Sequence, residues 1–203
     1  MGWKLALDGY AAGMNVDAVA VSLCGMPIYG SSPASSAVED WQFVCDEGPS
    51  IEAFRRNIPI DVPYTAHTVT RWAWLTDALG DWPFGAALAL PIAIGPDPLG
   101  VVTLYRAVPG PFPAVGHGGG RAQLHAAVES LIAEFQGSAS SLDLERFDLI
   151  NQAVGVTAAQ TGLTVAESMT VIRARAYSSH RSLDDVVRDI TTLHLTFSAL
   201  ANE

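Results

Sequence analysis

Between Ser168 and Leu183 the chain carries Arg173, Arg175, His180 and Arg181 and no acidic residue. Guanidinium groups hold phosphate oxygens in a fork and stack on splayed bases, so this run is a candidate nucleic-acid contact. Charge alone reads rather as a solvated face. A second candidate is aromatic. Trp72, Trp74, Trp82 and Phe84, with Trp41 and Phe43, are enough to line a small-molecule pocket, and equally enough to pack a core. His125 and Glu129 stand at i and i+4 of one helical pattern, but two ligands do not make a metal site, and a surface pair is the plainer reading. Cys24 and Cys45 form no CxxC pair and read as ordinary buried thiols. Asp46 and Glu47 beside Cys45 oppose thiolate formation.

Several chemistries are excluded by what is missing. Lys4 is the only lysine, which removes P-loop, Schiff-base and SxxK chemistry. No GxSxG elbow, HExxH or strand-linked GxGxxG occurs. The Gly116-His117-Gly118-Gly119-Gly120 run superficially looks like a phosphate loop, but it follows no strand and supplies no lysine, so it reads as linker. No enzyme, cofactor or metal site is expected.

The elements that must hold these residues change character near Gly137. Val16–Cys24 alternates as a half-buried strand does, and Ala34–Cys45 reads as a helix with Ala37, Trp41 and Val44 on one face. Ile58–Val62, interrupted by Pro59 and followed by Pro63, suits an edge strand. Thr70–Leu79 reads helical. Ala86–Ile94 and Leu99–Arg106 flank Gly95-Pro96-Asp97-Pro98, a strong turn signal, and look like the hairpin at the centre of a sheet. Pro109–Gly120 is loop. Arg121–Phe135 is a helix with Leu124, Val128, Leu131, Ile132 and Phe135 in one stripe.

After a Gly137–Ser141 linker come three further helices. The first, Leu142–Gln160, has Phe147, Ile150 and Val154 on one face and Leu149, Ala153 and Val156 roughly opposite, so it needs two partners, for instance its own bundle and a second subunit. Gly162 is placed to end it. The second opens on the capping box Thr164-Val165-Ala166-Glu167, with Val165, Met169, Ile172 and Ala176 as its seam. The third opens at Ser182, with Asp184 and Asp185 in the dipole-favoured first turn and Leu183, Val186, Val187, Ile190, His194 and Phe197 as its seam.

Composition sets the surroundings. The 203 residues are 49% hydrophobic and only 16% charged, which argues for a well-buried core. No apolar run is long enough to span a membrane, and the N-terminal segment lacks a basic region and a cleavage site, so a soluble cytoplasmic protein is expected. Net charge is −10, with six bases against 13 acids up to residue 140 and five against eight beyond it. Any contact with nucleic acid must therefore be local.

Two stretches resemble known modules. Asp46-Glu47-Gly48-Pro49-Ser50 with Glu52-Ala53, then Arg71-Trp72, Leu90-Pro91-Ile92 and Leu99–Tyr105 resemble a bacterial GAF domain over about residues 15–135. The sequence departs from that pattern at Ser50, where this variant usually carries Cys. Ile150-x-Gln152-Ala153-x-Gly155-Val156, Gly162, Val165-Ala166-Glu167, Ile172-Arg173-x-x-Ala176 and Arg181–Val186 resemble an ANTAR domain over about residues 142–200. Here the departures are Thr157-Ala158-Ala159 in place of a Leu-Met pair, and Val187 in place of an alanine.

The resemblance implies an α+β fold: a sensor module with an antiparallel sheet flanked by helices and a pocket on one face (1–136), a linker (137–141), and an all-α three-helix RNA-binding module (142–203). It implies a homodimeric transcription antitermination regulator that binds tandem small hairpin loops in messenger leaders through Arg173, Arg175, His180 and Arg181. It also implies an unidentified small molecule in a pocket at Trp41, Trp72 and Phe84. Two rival expectations stand beside it: a sensory dimerisation protein whose tail acts on a protein partner, and a GAF-type sulfoxide reductase using Cys24 or Cys45.

Overall fold

The computed structural model describes residues 7, 9, 15–67, 70–94, 96–112, 126–127, 130, 133 and 144–197. The chain divides into two compact units, Met1–Leu142 and Asp143–Glu203.

The first unit is built on a five-stranded antiparallel sheet in the order β2-β1-β5-β4-β3. Its strands are β1 (Ala18–Leu23), β2 (Met26–Gly30), β3 (Ile60–Val62), β4 (Ala86–Ile94) and β5 (Asp97–Arg106). Its helices include α1 (Pro33–Cys45), α2 (Pro49–Arg56) and α3 (Ala73–Leu79). As expected, the β4–β5 hairpin lies at the centre and β3 at an edge.

The two sheet faces differ in side-chain size. One carries Val19, Val21, Leu88, Leu90, Ile92, Val102 and Leu104 and buries Leu7, Phe112 and Ala127. The other carries Ala18, Ala20, Ala87 and Ala89, and over these small residues pack Val38, Ala53, Trp72 and Leu75 from the helical side. Because both faces are covered, all six β1 residues are buried, which corrects the expectation of a half-buried strand. Alternation in this strand sorts large from small residues, not apolar from polar.

Periodicity does not reveal two of the elements. Cys24 and Gly25 both take positive φ (50° and 78°), the geometry of a tight two-residue hairpin turn, and fold β2 back on β1. Pro27 is tolerated because β2 is the opposite edge. The second such element, α2, begins at Pro49 and ends at Asn57 in the left-handed region.

Other boundaries and faces move. α1 starts from the Ser32 capping box with Ser35 and buries Ser35, Val38, Glu39, Gln42, Phe43 and Val44. Ala37 is exposed and Trp41 only half-buried, so the expected Ala37-Trp41-Val44 face is not the one turned inward. Ile58 lies outside β3 and is exposed. α3 starts at Ala73, later than Thr70, because the acceptor that caps its first turn meets the backbone only there: Glu47 Oε2 accepts from the backbone N–H of Trp74 (3.0 Å) and Leu75 (3.2 Å). The stripe residues Leu124, Val128, Leu131, Ile132 and Phe135, the glycine run 116–120 and the segment 137–141 lie outside the described residues.

The second unit comprises α4 (Leu144–Thr161), α5 (Val165–Ser179) and α6 (Leu183–Thr191). α4 packs on both α5 and α6, burying Ile150, Ala153, Val154 and Thr157, while Phe147, Leu149 and Val156 are half-buried. Gly162 (φ 75°) follows the end of α4. Arg146 Nε reaches Asp184 Oδ1 at 2.7 Å and ties α4 to α6. The capping box at Thr164 forms, and Ser182 accepts from Asp185 N at 3.1 Å. Two seams are shorter than expected. Val165 is 71% exposed, because the first helical position points away from α4 and the inward face begins at Ser168. α6 ends at Thr191, and the left-handed φ of Leu193 (59°) turns the chain, leaving His194 exposed outside the seam. The Phe197 N–H donates to Gln160 Oε1 at 2.9 Å.

Candidate functional site

The alanine-rich face of the sheet holds a buried polar centre. Glu39 and Gln42, three residues apart on α1, both point to the sheet, where β5 presents Tyr105. The Tyr105 hydroxyl donates to Glu39 Oε1 at 2.6 Å and accepts from Gln42 Nε2 at 2.9 Å. Gln42 Oε1 in turn accepts from the Ser50 backbone N–H (2.8 Å) and from Ser50 Oγ (3.0 Å), at the start of α2. Burial pushes the Glu39 carboxyl above the ordinary range, outweighing the hydrogen bond from Tyr105. Burial, reinforced by Glu39, likewise raises the Tyr105 phenol.

Around this centre the polar residues of the 46–52 segment interlock. Glu52 binds Arg56 (2.6 Å) and Arg71 (2.8 Å), and the Arg71 guanidinium lies 4.6 Å from the ring centre of Trp72. Arg55 pairs with Asp46. Glu47 caps α3. Sequence reasoning missed Glu39, Gln42 and Tyr105 as a group, since polar residues on a helix read as its solvent face. The Glu39/Gln42 spacing was the only available signal.

Phe84 stacks on the other side of this centre, its ring 4.6 Å from that of Tyr105 and inclined by 24°. It also lines an open cleft of about 310 Å³ at one end of the sheet, together with Tyr64, Trp82, Pro83 and Pro109. Of Trp41, Trp72 and Phe84, only Phe84 reaches this cleft, and from the wider aromatic set Trp82 joins it. Trp72 is buried and Trp41 half-buried in the same apolar layer over the sheet, where they act as packing. Trp74 is 60% exposed. Trp82 lines the cleft, and its indole N–H is buried without a hydrogen-bond partner.

The second unit places Arg173, Arg175, His180 and Arg181 on the later turns of α5 and the turn into α6. Arg175 is exposed and Arg173 half-buried; two positions on a helix separate them by about 200°, so they face different sides. His180 is exposed, caps α5 in the left-handed region (φ 49°) and lies 6.2 Å from the Tyr177 ring. Arg181 Nη1 pairs with Asp189 Oδ2 at 2.8 Å.

The remaining candidates separate. His125 and Glu129 lie outside the described residues, and among the described residues no cluster of three metal-ligating side chains forms. Cys24 is exposed at the β1–β2 turn, which corrects its reading as a buried thiol. Cys45 is half-buried, and burial, with Glu47 and Asp77 adding to it, pushes its thiol up to about 12. No described helix is long and apolar enough to cross a membrane.

No protein-family model matches the chain, and no curated protein matches it. Among solved structures it is similar to the GAF domain of a phosphoenolpyruvate-protein phosphotransferase from Acinetobacter, at 16% identity over 66% of this chain and 81% of that one, with a TM-score of 0.47. It is similar to the GAF-B domain of DevS from Mycobacterium smegmatis at 17% identity, over 68% and 93% of the two chains, with a TM-score of 0.43. GAF3 of Slr1393 from Synechocystis gives 18% identity, 71% and 96% coverage, and a TM-score of 0.46.

Proposed function

We propose that the chain is a sensory regulator of transcription antitermination. In this reading a GAF-like first unit receives a small-molecule signal, and an ANTAR-like second unit binds paired hairpin loops in RNA. The observation that carries it is the exposure of Arg175 and His180 beside Arg181, on the last turns of α5 and the start of the turn into α6. These are positions where the three-helix layout and its two N-caps agree with the motifs of that module. Unstacked loop bases are accessible to such side chains, whereas the deep major groove of A-form RNA is not.

A second reading follows from the acids around the same turn. Asp189 already holds Arg181, Asp184 and Asp185 flank it, and net charge is −10. A sensory dimerisation protein acting on a protein partner would carry such a surface.

A salt titration of the full chain against an RNA with two tandem small-loop hairpins, with a scrambled-loop control, separates the two. Loop-dependent affinity that falls as salt rises supports antitermination. A folded dimer that ignores both RNAs supports the scaffold.

A further inference from the structure

We propose that Asp189 is an internal competitor for phosphate: its carboxylate occupies the Arg181 guanidinium where an RNA phosphate would sit, and RNA binding opens the pair. Resting on the RNA reading of the second unit, this names what holds part of that site closed. Arg181 Nη1 meets Asp189 Oδ2 at 2.8 Å, and the two side chains remain 40% and 32% exposed. A contact closes the pair, not burial, so an anion reaches it directly from solvent.

Asp189 stands at an unfavourable place for an acid. It lies in the last turn of α6 (Leu183–Thr191), where the helix dipole disfavours a carboxylate. Asp184 and Asp185 occupy the favoured first turn and have other partners. Asp184 holds Arg146 at 2.7 Å, and Asp185 accepts from the Ser182 hydroxyl at 2.8 Å. Asp189 instead reaches Arg181, which precedes the N-cap Ser182. From Leu183 to Asp189 the helix rises about 9 Å, so the Arg181 side chain lies along α6 to make the contact. The Asp189 carbonyl accepts from Leu195 N at 3.0 Å, a bond that neutralising the carboxylate leaves in place.

Carboxylate and phosphate compete for the same guanidinium donors through charge-assisted bonds of the same kind. An exposed pair shifts such an equilibrium by up to about fivefold, so RNA with further contacts to the exposed Arg175 and His180 opens it. Once released, the Asp189 carboxylate faces the incoming strand with like charge and lowers affinity again. Asp189 thus attenuates RNA binding without abolishing it.

The test compares the full chain with Asp189→Asn, Arg181→Ala and the double variant against the tandem small-loop RNA, at about 50 mM salt. Asp189→Asn should tighten loop RNA about three- to tenfold, and less than about twofold in the Arg181→Ala background. Asp148→Asn removes the same charge from an exposed position of α4 and should stay within about twofold. Circular dichroism checks the helices, and Asp189→Ala replaces Asp189→Asn if the latter does not fold. A second readout needs no RNA. Inorganic tripolyphosphate should shift the ¹⁵N guanidinium signals of Arg181 at several-fold lower concentration in Asp189→Asn than in the unaltered chain. Weaker loop binding by Asp189→Asn would show that the acid orients Arg181 for RNA, and an equal gain from Asp148→Asn would show bulk charge at work. Either result overturns the competitor, as does an equal tripolyphosphate response in the two chains. A chain that ignores RNA while tripolyphosphate separates the two forms would sink the RNA reading alone and support the competition at Arg181.

Discussion

The phenol of Tyr105 on β5 donates to the carboxyl of Glu39 on α1 across 2.6 Å, although 66 residues separate the two in sequence. With Gln42 bridging to Ser50, this contact joins two helices to the central strand through buried polar groups alone. A network of this kind favours one arrangement of α1 and α2 over any other, since a shifted helix would leave a buried carboxyl or amide unpaired.

The protonation of Glu39 makes the stability of the first unit depend on pH. Its folded carboxyl titrates above the unfolded value near 4.5. Its contribution is therefore fully present below that value and is lost as pH rises toward the elevated one, with a slope approaching about 1.4 kcal/mol per pH unit. Glu39→Gln keeps the shape and cannot ionise. The stability difference between the unaltered chain and Glu39→Gln should move steadily in favour of the variant as pH rises from 4.5. Urea melts followed by tryptophan fluorescence report the first unit alone, because all five tryptophans lie before residue 143. A difference independent of pH would show that the carboxyl is already ionised.

Gly48 shows how tightly the same network is closed. It sits at φ 121°, and a Cβ there would lie 2.4 Å from Gln42 Oε1 and 2.6 Å from Gln42 Cγ. Gly48→Ala should cost more than about 2 kcal/mol, from backbone strain and from the displaced Gln42 together. The urea midpoint of the fluorescence transition measures this.

The two thiols should behave unlike each other. Cys24 is exposed, while the Cys45 thiol is pushed up to about 12. Iodoacetamide at about pH 8, near the ordinary thiol range, should modify Cys24 in the native chain and Cys45 only after denaturation, as read by peptide mass spectrometry. Rapid native labelling of Cys45 would contradict the burial that suppresses its thiolate and would revive a redox role.

In the second unit, Arg175→Ala and Arg181→Ala should part company. Arg181 is paired with Asp189 at the surface, so its loss should cost up to about 1 kcal/mol of helix-unit stability, read by circular dichroism. Arg175→Ala should leave stability within about 0.5 kcal/mol. If the RNA reading holds, both should weaken loop binding, and Arg175→Ala should also lower the salt slope.

Local signals written into consecutive residues were enough for much of this architecture. The Gly95-Pro96-Asp97-Pro98 signal between two apolar runs placed the central hairpin, although β5 starts at Asp97, two residues before the expected Leu99, and the caps at Thr164 and Ser182 with Gly162 bounded the last helices, because turn and cap chemistry depends on residues at most a few positions apart. The inward face of α1 was not legible. Glu39 and Gln42 are polar, and only Tyr105 and Ser50, brought in by tertiary packing, satisfy them well enough to be buried. Nor was the lining of the cleft. Trp41, Trp72, Trp82 and Phe84 all join one apolar layer over the sheet, and of these only Trp82 and Phe84 also line the cleft at its end, because the path of the chain from α3 into β4 decides which rings reach it. Helix ends and turns are settled by neighbours in sequence; burial and pocket lining are settled by neighbours in space.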